Sequence, residues 1–352
     1  MIRILIAEDS NVVALLLKAI FAKESDMEVV GHARNGQEAV QMTQALRPDL
    51  ITMDIRMPVL DGFAATREIM SSTVTPIVVI SSRVDDEELR TTFRAIEEGA
   101  LAVIEKPRGL GHPDFELIRN ELVNTVRAMA EVKLVRRLPR RRAISQDDIP
   151  DAVSSRQSSS YELIALGCST GGPQALHALL TGLPTSFPLP IAIVQHISPG
   201  FVGGMVTWLA GQSLLKVKLA EADEPLQPST VYLAPDGHHL LVTRAGHELR
   251  ASLNNGDAVS LFRTSATPFM RSVAKACGNK AIGGLLSGMG ADGASGLLDV
   301  RNAGGHTFVQ DPDSCVVAGM PRAAIAMNAV DKIISLANLA LHLRQLTKAW
   351  NA

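Results

Sequence analysis

The sequence predicts two doubly wound α/β domains joined by a polar tether. Short apolar runs alternate with amphipathic helical patterns through both halves of the chain. Most of these runs end in acidic, hydroxyl, histidine or glycine-rich segments, the places where a parallel sheet carries its ligand groups. Between the halves, a basic and Pro/Ser-rich stretch breaks the alternation. These shifts set the boundaries at residues 1–125, 126–158 and 159–352.

A chain of 352 residues exceeds one ordinary domain, and 46% hydrophobic residues suffice for two cores. A net charge of −2 gives no global pull toward nucleic acid or anionic lipid. The cysteines, Cys168, Cys277 and Cys315, are odd in number and sparse, which suits thiols in a reducing cytoplasm. Met1–Ala7 lacks a signal-peptide apolar region. The most apolar helix, near Val12 to Phe21, contains Lys18 and is too short to span a bilayer. A cytoplasmic monomer without nucleic-acid partner or membrane insertion is expected.

In chain order, residues 2–7 read as a strand ending at Glu8-Asp9. Ser10 caps a helix from Asn11 to Lys23. Met27 to Ala33 is a strand, Gly36 to Leu46 a helix, and Leu50 to Met53 a strand ending at Asp54. Asp61 to Ser71 is a helix, and Ile77 to Ile80 a strand ending at Ser81. Glu87 to Glu98 is a helix, Leu101 to Glu105 a strand ending at Lys106, and a last helix starts near His112. This order predicts a five-stranded parallel sheet.

Carboxylates from Glu8, Asp9 and Asp54 at neighbouring strand ends would repel one another unless a cation joined them, and a hard oxygen set suits Mg²⁺. Lys106 would neutralise oxygens of an incoming phosphoryl group and Ser81 would hydrogen-bond it, with Asp54 as acceptor. Any one of these taken alone is an ordinary loop residue; the set at successive strand ends is not.

This half resembles the receiver domain of bacterial two-component response regulators, a flavodoxin-like fold. The resemblance rests on Glu8-Asp9-Ser10, Met53 to Pro58 with Asp61-Gly62, Ser81, and Glu105-Lys106-Pro107. It implies phosphorylation of Asp54 by a partner histidine kinase. Glu8 stands where an Asp is frequent, and Val103 where many receivers carry Tyr or Phe, so no aromatic relay operates there.

The tether holds Arg136 to Arg142, dense in arginine, and the serine-rich Ser154 to Ser160. The basic run reads as the solvated end of the preceding helix or as a patch for an acidic surface or RNA.

The second half opens with a strand, Tyr161 to Leu166, then Gly167-Cys168-Ser169-Thr170-Gly171-Gly172, then a helix with Pro173 in its first turn. Strand, glycine-flanked serine and helix match a nucleophile elbow, and equally a tight loop or a phosphate cradle. Cys168, beside Ser169, reads as a small buried strand-end residue.

Leu189 to Val194 is a strand ending at Gln195-His196. Residues 216–252 read as antiparallel hairpins on one sheet edge, with His238, His239 and His247 structural or on the surface. Ser265 to Ala276 is a helix, and Ala281 to Leu286 a strand ending in a glycine-rich turn with Asp292. Asp292 suits either orientation of a histidine or a helix N-cap. A helix runs on to about Asn302, and His306 to Val309 is a further strand. Pro321 to Met327 and Ser335 to Lys348 are closing helices.

Ser169, His196 and Asp292 thus lie at three strand ends of one domain. Their order differs from that of α/β-hydrolases, but the triad recurs on unrelated folds. These segments, with Gln310-Asp311-Pro312 and Gly319-Met320-Pro321, resemble the chemotaxis protein-glutamate methylesterases, the CheB family, over residues 160–345.

The resemblance implies Ser169 as nucleophile, His196 as general base, Asp292 as orienting carboxylate, and Thr170 and Met289 at the active site. It implies hydrolysis of glutamate γ-methyl esters on methyl-accepting chemoreceptors and deamidation of receptor glutamines. No cofactor is expected for that step, with Mg²⁺ confined to the first domain. Arg263 to Phe269 matches the family's segment only loosely. The competing readings are a non-catalytic phospho-switch, an esterase of another signalling pathway and a transcriptional regulator. The last is disfavoured by the absence of a compact helix-turn-helix or basic face.

Overall fold

The computed structural model describes residues 1–82, 86–109, 111–112, 115–132, 161–255 and 264–348. The arginine- and serine-rich runs of the tether and Arg263 lie outside the described residues.

The first domain alternates β1 (Ile2–Ala7), α1 (Asn11–Phe21), β2 (Met27–Ala33), α2 (Gly36–Leu46), β3 (Leu50–Asp54), α3 (Gly62–Ser72), β4 (Ile77–Ser81), α4 (Asp86–Glu97), β5 (Ala102–Glu105) and α5 (Phe115–Ala130). Its strands are parallel in the order β2-β1-β3-β4-β5. Ser10 caps α1 and Asp61 caps α3, each accepting from the main chain three residues on. Every residue of β3 and β4 is buried, as expected of strands covered by helices on both faces.

The second domain runs β6 (Leu163–Cys168), α6 (Gly172–Thr181), β7 (Ile191–Gln195), α7 (Val202–Gln212), β8 (Lys216–Leu219), β9 (Thr230–Leu233), β10 (His239–Ala245), β11 (Glu248–Asn254), α8 (Ala266–Cys277), β12 (Ala281–Leu285), α9 (Ala294–Asn302), β13 (His306–Gln310), α10 (Gly319–Ala326), β14 (Lys332–Ile334) and α11 (Leu339–Lys348). Seven strands form one parallel sheet in the order β14-β13-β12-β6-β7-β9-β8.

The expected hairpin region divides in two. β8 and β9 join the main sheet in parallel, and only β10–β11 is antiparallel, as a separate two-stranded sheet rather than the main sheet's edge. All four residues of β9 are buried, the signature of an interior parallel strand, whereas β10 is exposed toward its end. The three-residue β14 has too little apolar pattern to stand out in the sequence.

The two domains pack against each other. Trp208 of α7 is stacked between Phe93 of α4, with ring centroids 5.7 Å apart, and His177 of α6, at 5.2 Å. Its indole N–H donates to Glu97 at 2.7 Å, and Gln174 Nε2 donates to the Ala100 carbonyl at 2.5 Å. Ser198 Oγ donates to both carboxylate oxygens of Glu121 on α5, at 3.0 and 2.9 Å.

Candidate active site

The chain leaves β6 for β7 on one side and later returns to β12 on the other. The strand order therefore reverses at β6, and ligands of such sheets bind outside the carboxyl ends of the strands at this crevice. Ser169 follows β6, His196 follows β7, and Asp292 lies in the loop after β12. Cys168 is in register with Gln195, and the His196 N–H donates to the Cys168 carbonyl at 2.9 Å. The Ser169 N–H donates to the Ser287 carbonyl at 3.0 Å. Main-chain bonds thus stitch the three loops together before any side chain is considered.

The serine turn is rigid. The Ser169 carbonyl accepts from the Gly172 N–H and from Gln195 Nε2, both at 2.8 Å. Gly171, which precedes α6, has φ +80°, and a Cβ there would meet Ser287 Oγ at 2.5 Å. Only glycine meets both demands. A Cβ on Gly288 would lie 2.2 Å from Met320 Sδ and 2.9 Å from the Ser169 Cβ, so that loop also approaches the serine as a bare backbone.

Among the described residues, Ser169 Oγ makes no hydrogen bond, and a serine–base contact of this kind commonly tightens only with substrate in place. The main-chain N–H groups of Thr170 and Met289, both half-buried, likewise donate to nothing among the described residues. Two such N–H groups beside a hydroxyl can stabilise an oxyanion. The Cys168 thiol is fully buried against the Val194 carbonyl at 3.7 Å, and burial pushes its pKa far up, so it is no competing nucleophile.

His196 Nε2 lies 2.8 Å from Asp292 Oδ2. Asp292 accepts more than this. Oδ1 takes Ser265 Oγ at 2.7 Å, Thr267 Oγ1 at 2.7 Å, the Thr267 N–H at 3.1 Å and the Gly293 N–H at 2.9 Å, and Oδ2 takes the Ala266 N–H at 2.7 Å. Burial by itself would raise the Asp292 pKa. The hydrogen bond and charge of His196, with Thr267 and Ser265, outweigh it and hold the carboxyl well below the ordinary range. An ionised carboxylate only accepts, so His196 carries its proton on Nε2, which makes Nδ1 the ring's acceptor nitrogen. Asp292 also caps a helix, but it is α8, through Ala266 and Thr267; α9 is preceded by Gly293, with φ +85° and no side-chain cap.

In the first domain, one oxygen from each of Glu8, Asp9 and Asp54 lies within 4.8 Å of the others. Lys106 Nζ is 2.9 Å from Asp54 and 2.9 Å from Glu8. Burial pushes the pKa of Glu8 and Asp54 upward, and the charge of Asp54 adds to the effect on Glu8. For Lys106 burial works the other way, but Asp54 and Glu8 outweigh it and hold the ammonium above its ordinary value. Two buried acids against one lysine leave negative charge uncompensated, so this all-oxygen set fits a divalent cation. Ser81 is buried, and its hydroxyl pairs with Thr92 Oγ1 of α4 at 3.1 Å.

Ser265, Thr267, Glu121 and Trp208 were not singled out by sequence reasoning, and His239, read as surface or structural, is buried with Nδ1 accepting from the Ser265 N–H. Their partners are main-chain groups or residues far off in the chain, which no local motif encodes. Ser265 alone had a local signal, as the residue expected to open α8.

Both halves of the chain match known protein families. Residues 164–343 match the family model described as CheB methylesterase, and residues 4–112 match the response regulator receiver domain. A protein-glutamate methylesterase/protein-glutamine glutaminase of Methanospirillum hungatei is 44% identical over 99% of both chains. One from Myxococcus xanthus is 44% identical over 97% of this chain and 96% of its own. The crystal structure of the Thermotoga maritima CheB methylesterase catalytic domain superposes with a TM-score of 0.52 at 33% identity, covering 53% of this chain and all of that one.

Proposed function

This chain belongs to the CheB methylesterase family and carries a response regulator receiver domain in front, and from that premise we propose how its own residues perform and control the reaction. It is a protein-glutamate methylesterase and protein-glutamine glutaminase, and we assign Ser169, His196 and Asp292 as its catalytic triad on their geometry. The observation that carries this assignment is the 2.8 Å contact of His196 Nε2 with a carboxylate held ionised, at the strand-order reversal beside Ser169.

Ser169 Oγ attacks the γ-carbonyl carbon of a methylated glutamate while His196 Nδ1 takes its proton. Thr170 and Met289 N–H groups receive the oxyanion. Collapse breaks the C–O bond to methanol, whose oxygen takes the proton back from His196, and leaves a glutamyl ester on Ser169. Water, deprotonated by His196, then frees the glutamate carboxylate and Ser169. With glutamine the leaving group is ammonia.

Glu8, Asp9 and Asp54 would hold Mg²⁺, which, when bound, neutralises oxygens of the transferred phosphoryl group. Asp54 is the acceptor, a histidine kinase the donor, and Lys106 pairs with the phosphoryl oxygens. Ser81 then leaves Thr92 for the phosphoryl group, which loosens α4 where Phe93 and Glu97 meet Trp208. The receiver thereby releases a helical receptor segment's access to the site.

Methanol release from a methylated chemoreceptor fragment should rise severalfold when a small phosphodonor and Mg²⁺ are added, as expected if about 1 kcal/mol of interface stability is lost. Asp54→Asn should abolish the rise and keep the basal rate. An unchanged rise in Asp54→Asn would remove Asp54 from the control.

Glu121 offers a second test. Its burial in the interface, reinforced by Glu105 and opposed by Ser198, holds its pKa above the ordinary glutamate value. The contact is therefore most stable below that ordinary value and weakens as pH rises through the raised one. Glu121→Gln removes the charge, keeps an acceptor for Ser198, and should lower basal activity about threefold at neutral pH, worth roughly one net hydrogen bond. A basal rate equal to or above wild type would show that this contact does not hold the closed arrangement.

A further inference from the structure

The segment from Asp236 to His239, which leads into β10, bonds to residues on either side of the His196–Asp292 pair. Asp236 Oδ2 accepts from the Gly200 N–H at 2.6 Å, in the short loop that begins at His196. Three residues on, His239 Nδ1 accepts from the Ser265 N–H at 3.2 Å. Ser265 is fully buried, and its hydroxyl donates to Asp292 Oδ1 at 2.7 Å. His239 itself is 4% exposed and opens the β10–β11 hairpin, which is tied to α8 where the Val242 N–H donates to Ser272 Oγ at 2.9 Å.

We infer that Asp236 and His239 are positioning residues for the esterase reaction, a clamp that sets the relation of His196 to Asp292. The inference rests on the Ser169–His196–Asp292 assignment and deepens it. Asp236 holds the loop that carries the base. His239 holds Ser265, which holds the carboxylate. Because Nδ1 of His239 accepts a main-chain N–H, that nitrogen is unprotonated and the neutral ring's proton is on Nε2. Asparagine can place its Oδ1 where Nδ1 stands, and leucine fills similar space with no acceptor. The two substitutions separate the hydrogen bond from the packing.

On the full chain, His239→Leu should lower kcat for methanol release from a methylated receptor fragment on the order of 10- to 100-fold with KM little changed, the scale of a small misplacement of a catalytic group. His239→Asn should recover most of the loss. In an Asp292→Asn background, His239→Leu should add little, because both act through one carboxylate. Asp236→Ala, at a half-buried position, should lower kcat with unchanged KM, and it carries the test if His239→Leu does not fold. Wild-type kcat in folded His239→Leu or Asp236→Ala, equal losses for Leu and Asn, or a full additional loss in the Asp292→Asn background would overturn the clamp. Unimpaired Asp292→Asn turnover would instead overturn the triad assignment beneath it.

Discussion

Ser169→Ala and His196→Ala are each expected to lower ester turnover by several orders of magnitude, on the scale of about 10⁶ seen for serine–histidine pairs that act as one unit. The double variant should be little worse than either single, since removing the nucleophile leaves the base nothing to activate. Neither change should unfold the domain. The Ser169 hydroxyl has no hydrogen bond to lose among the described residues, and its turn is held by main-chain contacts with Gly172, Gln195 and Ser287. Turnover by initial rates, with circular dichroism to check folding, decides the matter. A folded Ser169→Ala that still releases methanol would move the nucleophile elsewhere, and the buried, strongly deactivated thiol of Cys168 leaves it no substitute next door.

How much of this was legible in the sequence depends on the reach of each interaction. Local features came through: Ser10 as a cap, the strand ends at Asp54, Ser169 and His196, and the glycine-demanding turn at Gly171. Each depends on residues a few positions away. The parallel placement of β9 did not, because a short, wholly buried strand has no period to read. The helix that Asp292 caps was also beyond reach. Proximity in the chain favours α9, whereas the carboxylate reaches back about a helix and a strand to Ala266 and Thr267. Thr267 lies in the segment that matched the family's pattern loosely. In the fold it supplies two donors to the Asp292 carboxylate and accepts the Gly293 N–H at 2.8 Å, so that segment supports Asp292 from behind. The interface was hidden for a similar reason: Trp208, Phe93 and His177 come from three helices with no shared motif.

Asp292→Asn gives the second large effect. Asparagine can keep Oδ1 among the donors from Ser265, Thr267 and Gly293. Its amide nitrogen then stands at the Oδ2 position, facing the Ala266 N–H and His196 Nε2, where the carboxylate had accepted. A donor there turns His196 to the tautomer with its proton on Nδ1, and that nitrogen can no longer take the proton of Ser169. The native carboxylate stays ionised far below neutral pH, held by His196, Thr267 and Ser265 against its burial. Stability that depends on this ionised carboxylate is therefore present above the ordinary carboxylate range and is lost only in strong acid, as pH falls through the depressed value.

The most direct measurement is kcat for methanol release from a methylated chemoreceptor fragment by folded Asp292→Asn, beside wild type, across neutral pH. A triad built on this histidine–carboxylate contact requires a fall on the order of 10³ to 10⁴, the scale of removing the acid from other triads, with KM nearly unchanged. Turnover close to wild type in that variant would contradict it, leaving Asp292 as the cap of α8 alone and Ser169 and His196 as a dyad.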